Sequence, residues 1–308
     1  MAKAQKNILA FHHGKDLNER TKERILIYGR AGVGKTRFAL SYPESWGRCA
    51  YYAADKNSWL LPSISRTKRG RVEIVKPEGP DPAAQFQQFC MMDLSELGED
   101  IGVIVVDTYT KIAMDSLSYI SNTMQLTREP HHTVGDMDNG GVAIPTRSDF
   151  QGVDALSKQY LDDLFDLHAD KHIIFLMHEE SKMVGGANGT LVGGPQHPGW
   201  TMIDYLPSQF STVVRLIRDE ILVPGAADIT PVVVAITEYD GKFPAKLRTN
   251  DEEAPNPLAR RVLDRNPTSW WDAHEEYMQG LLLPASAEGA PVKKKKKKKK
   301  LTLATETN

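Results

Sequence analysis

Eight consecutive residues, Gly29, Arg30, Ala31, Gly32, Val33, Gly34, Lys35 and Thr36, follow the pattern GxxxxGK[ST] between an apolar run, Ile25-Leu26-Ile27-Tyr28, and a helical-looking Arg37-Phe38-Ala39-Leu40. A glycine-rich turn after a strand can aim successive backbone N–H groups at phosphate oxygens, because glycine adopts conformations closed to other residues and lets a ligand come close. In that arrangement Lys35 neutralises the β- and γ-phosphates and the Thr36 hydroxyl holds Mg2+. Lys35 is expected to face solvent before nucleotide binds. A carboxylate is needed to complete the magnesium shell, and Asp107 supplies one at the end of Ile101-Gly102-Val103-Ile104-Val105-Val106. Four aliphatics in a row predict a strand buried on both faces, whose C-terminal end is where open parallel sheets hold ligands. The competing role for Asp107 is a helix N-cap. Asp55, ending Ala53-Ala54-Asp55, is a candidate general base for the attacking water, or a surface turn residue. His178 and Glu179 end a third apolar run. His178 is a candidate γ-phosphate sensor and Glu179 a second candidate catalytic carboxylate; a plain strand-end polar cluster is the bland alternative.

The elements that must position these residues alternate in period. Strands are predicted at 24–28, 49–54, 72–75, 103–107, 172–177, 212–218 and 232–237, and the clearest helices at 83–97, 108–126 and 150–169. This alternation predicts an α/β protein, a mostly parallel twisted sheet flanked by helices. Helices predicted at 257–263 and 268–282 make a small C-terminal helical cap. Two stretches, 127–149 and 181–199, match neither period and read as structureless loops, which at such length are functional or disordered. Asp136-Met137-Asp138-Asn139-Gly140-Gly141 fails as a calcium loop, because the fifth position is Gly140 and the twelfth is Arg147.

Composition excludes several classes. The 308 residues are 41% apolar and 25% charged, as in an ordinary globular protein. No run approaches a membrane span and the N-terminus carries no hydrophobic signal, so a cytoplasmic protein without membrane contact is expected. Cys49 and Cys90 are too few for a disulfide framework or a structural zinc site. The histidines supply no zinc ligand set, no Ser-His-Asp arrangement can be assembled from the sequence, and GxSxG is absent. The net charge of −2 becomes −10 once the eight lysines Lys293 to Lys300 are set aside. An acidic body does not attract nucleic acid through its overall field, so contact with a polyanion must come from loops, local patches or the tail. The organisation expected is an N-terminal extension 1–21, a core 22–250, a helical segment 251–284 and a disordered polylysine tail 285–308.

In order along the chain, ILIYGRAGVGKT, YYAAD, IVVDTYT, IIFLMHEE with its glycine-rich continuation, PGWTMIDYLPSQFSTVVRLIR and FPAKLRTN resemble the RecA superfamily of P-loop ATPases. Within it they resemble the phage-encoded Sak-type single-strand annealing ATPases. The resemblance implies a RecA-like P-loop NTPase fold over about residues 22–250 and ATP with Mg2+ as cofactors. It also implies single-stranded DNA as partner, a homo-oligomeric ring or filament, a possible single-strand-binding protein, and the cytoplasm of the infected host if phage-encoded. Asp55 stands where such proteins usually carry Glu. The segment 181–199, with Lys182, Gly185, Gly186 and Gly189, would be the DNA-facing loop, and Lys246 and Arg248 would reach a neighbour's ATP site. The function so implied is DNA-stimulated ATP hydrolysis promoting annealing or strand exchange. The alternatives are a RecA-type helicase or translocase and a nucleotide-binding adaptor with little turnover. A GTPase reading lacks an NKxD motif, and a small-molecule kinase would need an Arg-rich lid that 127–149 does not supply.

Overall fold

The apolar run before the glycine pattern forms the innermost strand, β1 (Arg24–Gly29), with Ile25, Leu26, Ile27 and Tyr28 all fully buried. Each such side chain contributes about 1.5–3 kcal/mol by leaving water. The computed structural model describes residues 22–55, 70–125, 133–134, 142–184, 190–199, 201–222, 229–247, 256–263 and 267–282.

Around β1 the sheet is built from β2 (Arg48–Ala53), β3 (Val72–Val75), β4 (Ile101–Asp107), β7 (His172–Val184), β9 (Thr212–Leu222), β10 (Ile229–Ile236) and β11 (Arg260–Leu263). Their order is β11-β10-β9-β1-β7-β4-β2-β3, parallel from β9 to β3 and antiparallel at β10 and β11. A separate two-stranded ribbon pairs β5 (Thr133–Val134) with β6 (Val142–Ala143), and β8 (Thr190–Pro195) pairs with the outer half of β7.

Alternation along the strands sends side chains to two layers. Leu26 and Tyr28 join the face covered by α2 (Pro82–Cys90), α3 (Tyr109–Gln125), α4 (Arg147–Leu167) and α5 (Met202–Gln209). Ile25 and Ile27 join the opposite face, covered by α1 (Lys35–Ala39) and α6 (Thr268–Leu282). Both cysteines are buried free thiols. Among the described residues no helix is long and apolar enough to cross a membrane.

Three expectations are corrected. The helix predicted at 83–97 is broken, because Asp93 accepts from Ser95 N–H and starts a separate 3-10 turn, Leu94–Leu97. The helix predicted at 257–263 is instead β11. Its side chains alternate in exposure, as they must on a strand that pairs with β10 at the sheet edge. The stretch 181–199 is not structureless where it is described: β7 runs on past Met177 and turns back as β8, Glu179 opposite Pro195 and Lys182 opposite Val192. The helix predicted at 268–282 is present as α6, and its Trp270 and Trp271 are fully buried in the layer that covers α1. Trp271 Nε1 donates to Phe38 O at 2.8 Å, satisfying a carbonyl near the end of α1. The N-terminal extension and the lysine tail lie outside the described residues.

Candidate functional site

Gly29 ends β1 and the chain turns sharply through Gly32 and Gly34, at φ 72° and 101°. Only glycine takes up such left-handed backbone without strain, and Gly34 then starts α1. A Cβ added to Gly34 would meet nothing within 4 Å, so it is the backbone conformation and not crowding that calls for glycine there. Lys35 is not solvent-facing as expected but 6% exposed. Its Nζ donates to Gly29 O at 2.9 Å and Arg30 O at 3.1 Å, and lies 3.4 Å from His178 Nδ1. Burial lowers its pKa to about 8, against the raising effect of Asp107 and Glu179.

Asp107 is 3% exposed. Its Oδ2 accepts from Thr36 Oγ1 and from Tyr51 Oη, both at 2.6 Å, while Oδ1 accepts no hydrogen bond among the described residues. Burial pushes the Asp107 pKa up, the two hydroxyl donors pull it down. A hydroxyl that gives its hydrogen to a carboxylate keeps its oxygen lone pairs for a cation. Thr36 and Asp107 are thus a donor set that fits Mg2+, a hard ion that prefers oxygen. Bound there with a nucleotide, the ion would supply charge neutralisation for phosphate oxygens.

Register fixes the other candidates. His178 is level with Gly29 across the β1–β7 pair, and Asp107 is level with Leu176 and with Ala53. His178, on the same face as Lys35, has its pKa lowered by burial first and by Lys35 second. Asp55 follows β2 beside Asp107, with Ala54 N–H bonded to Asp107 O at 2.8 Å. It is exposed, yet close enough that its charge raises the pKa of both Asp107 and His178. Glu179 points to the opposite face, where Arg215 Nε and Nη2 clamp it at 2.8 and 3.1 Å, with the Arg215 guanidinium 3.3 Å over the Phe243 ring. That pairing makes Glu179 a strut of the sheet, and alternation along β7 is the physical reason. Lys246 pairs its backbone with Val213, three residues along β9 from Leu216, the partner of Gly29. Its Nζ turns to Ser208 O at 3.4 Å, away from the loop of its own chain. Arg248, Gly185, Gly186 and Gly189 lie outside the described residues.

Sequence reasoning missed three contributors. Arg218, near the outer end of β9, donates to Gly32 O at 2.7 Å. Tyr51 has no place in any phosphate-loop pattern; its signal was the alternation in Tyr51-Tyr52-Ala53, which puts one tyrosine on each face. The third is a Ser-His-Asp set that the fold does assemble: Ser157 Oγ lies 3.0 Å from His197 Nε2, and Asp154 Oδ1 3.7 Å from Nδ1. It is not a hydrolytic triad. Gly199 N–H donates to Nδ1 at 2.9 Å, so the ring proton sits on Nε2 and points at the serine, which leaves no base for the Ser157 proton. All three side chains are buried, and burial lowers the His197 pKa to about 4. The set pins the chain leaving β8 onto α4.

A phosphate loop after the central strand, with a threonine-bonded carboxylate at the end of the strand beyond its neighbour, defines a P-loop nucleotide-binding site. A family model described as AAA domain matches residues 21–249, and the chain belongs to that family, whose domain is a nucleotide-binding ATPase type. No curated protein matches the chain.

Proposed function

We propose that this protein is a Mg2+-dependent ATPase that binds single-stranded DNA and uses the nucleotide cycle to grip and release the strand, in annealing or strand exchange of the phage Sak type. The observation that carries the coupling is a hydrogen-bonded path from the phosphate loop to the β7–β8 hairpin. His178 approaches Lys35 through its side chain, while its backbone N–H donates to Thr110 Oγ1 at 3.0 Å. Thr110 Oγ1 donates in turn to Gln196 O at 3.0 Å, and Gln196 N–H donates to His178 O at 2.7 Å. Capture of Lys35 by a γ-phosphate would change the surroundings of His178, and the base of the hairpin is bonded to that residue.

The hairpin itself supports a nucleic-acid face. A cleft of about 480 Å³ is lined by Lys182, Lys242 and Tyr239, together with Gly193, Gly194, Glu180 and Asp204. Tyr239 is 62% exposed, an aromatic face of the kind on which bases stack, and it is this face, not the balanced charge of the cleft, that supports the reading. Lys246 and, by resemblance, Arg248 would act on a neighbour's nucleotide in a ring or filament. The test is ATP turnover with and without single-stranded DNA, together with a strand-displacement assay. Turnover stimulated by single strands without displacement of a duplex is the expected result. Displacement would favour a helicase, and slow turnover indifferent to DNA an adaptor.

A further inference from the structure

Two hydroxyls converge on one oxygen of Asp107. Thr36 belongs to the phosphate loop, but Tyr51 comes from β2, where it is opposite Val105 in register while Ala53 is opposite Asp107. The ring therefore lies fully buried below the carboxylate, and its phenol reaches along β4 to the strand end. Phenylalanine would fill the same space at this core position. A tyrosine hydroxyl in a dry core needs a partner, and here the partner is the carboxylate that faces the metal position. The bond is made to Oδ2, the oxygen Thr36 also uses, so Oδ1 is left without a hydrogen bond among the described residues.

We propose that Tyr51 is a positioning residue for the Mg2+-nucleotide: it holds the Asp107 carboxylate by Oδ2, which keeps Oδ1 for the metal's shell and the Thr36 hydrogen directed at Asp107. This rests on the reading of the loop as a Mg2+-nucleotide site. Turning about the Cβ–Cγ bond costs a carboxylate held by one hydroxyl one hydrogen bond, and costs one held by two from different elements both.

The test is a Mg2+ titration of full-length chain with a fluorescent, non-hydrolysable ATP analogue, for wild type, Tyr51→Phe, Asp107→Asn and the double variant. Tyr51→Phe removes one oxygen and keeps the ring, and circular dichroism checks that the fold is retained. Analogue affinity in EDTA should be unchanged, while the Mg2+ midpoint rises about tenfold, the size of one hydrogen bond to a charged group. In the Asp107→Asn background, Tyr51→Phe should add nothing, because its effect runs through that carboxylate. An unchanged midpoint in the single variant, or an effect of equal size in the Asp107→Asn background, would overturn the proposal. A wild type whose analogue binding ignores Mg2+ would overturn the site reading itself, and the proposal with it.

Discussion

Lys35 folds its ammonium onto the carbonyls of Gly29 and Arg30, and burial there disfavours its charge, to a pKa of about 8. A lysine depressed in the folded chain detracts from stability at neutral pH, and the penalty is relieved as pH rises from about 8 towards the ordinary lysine value. Phosphate binding needs the charged form, so above about 8 it must take up a proton. Analogue affinity is expected to be flat from pH 6.5 to about 8, and then to weaken by up to about tenfold per pH unit. Lys35→Arg, which stays charged, should lose that slope. A wild-type affinity that stays flat to pH 9.5 would show that phosphates do not depend on this proton. The two carboxylates should differ in kind. Asp107, bonded to Thr36, is proposed to serve the ground-state metal site, whereas Asp55 is exposed beside it and is proposed to act on water. Asp107→Ala should weaken Mg2+-nucleotide binding, and Asp55→Ala should leave binding intact and slow hydrolysis by about 10²–10⁴-fold, the range of general-base catalysis. Equal loss of affinity in both would remove the distinct role of Asp55.

At the scale of elements, the exit of β8 is the most demanding piece of local geometry. A Cβ on Gly199 would collide with the Asp154 carboxylate, which also accepts from Thr201 Oγ1 at 2.6 Å. Gly199→Ala should therefore cost about 2–4 kcal/mol in urea unfolding, as for other broken buried networks, and loosen the hairpin from α4. A loss within about 0.5 kcal/mol, the range of surface changes, would mean that the pin yields freely. Much of the sheet was legible before the structure. Buried strands announce themselves by aliphatic runs, and β1, β2, β3, β4, β9 and β10 lie within a few residues of where the runs place them. The helix Thr268–Leu282 follows from its period. The hairpin was not legible, because Gly193 and Gly194 carry no side chain to reveal a period of two. Gly193 instead allows close approach to Glu180 O and Phe243. Nor was β11, a short edge strand whose pairing with β10 is a tertiary fact. Near the site, the positions of the loop and of Asp107 at strand ends were readable from spacing; alternation gave Tyr51 a face but not its partner, and Arg218 and the His197 pin gave no signal, because the contacts that recruit the three span 56, 186 and 40 residues of chain.

For the molecule as a whole, the matched family region ends at residue 249 but the hydrophobic layer does not. Leu258, Trp270 and Trp271 are fully or nearly fully buried against the face that carries α1, and Phe38 packs against both indoles at centroid distances of 5.1 and 5.2 Å. Trp46 adds a bond from its Nε1 to Glu275 at 3.2 Å. Removing one buried tryptophan costs about 3–5 kcal/mol, against a total stability of about 5–15 kcal/mol for a domain. A chain ending at residue 250 loses both tryptophans, Leu258 and β11 together, which is enough to undo the fold and, with it, the backing of the helix that follows the phosphate loop. A chain ending at residue 284 keeps every contact described. Thermal unfolding and analogue binding on the two truncations test this directly: the longer should match the full chain in both, and the shorter should show neither a cooperative transition nor binding. A shorter chain that melts cooperatively and binds the analogue would make residues 251–284 an accessory to the nucleotide site, not a wall of it.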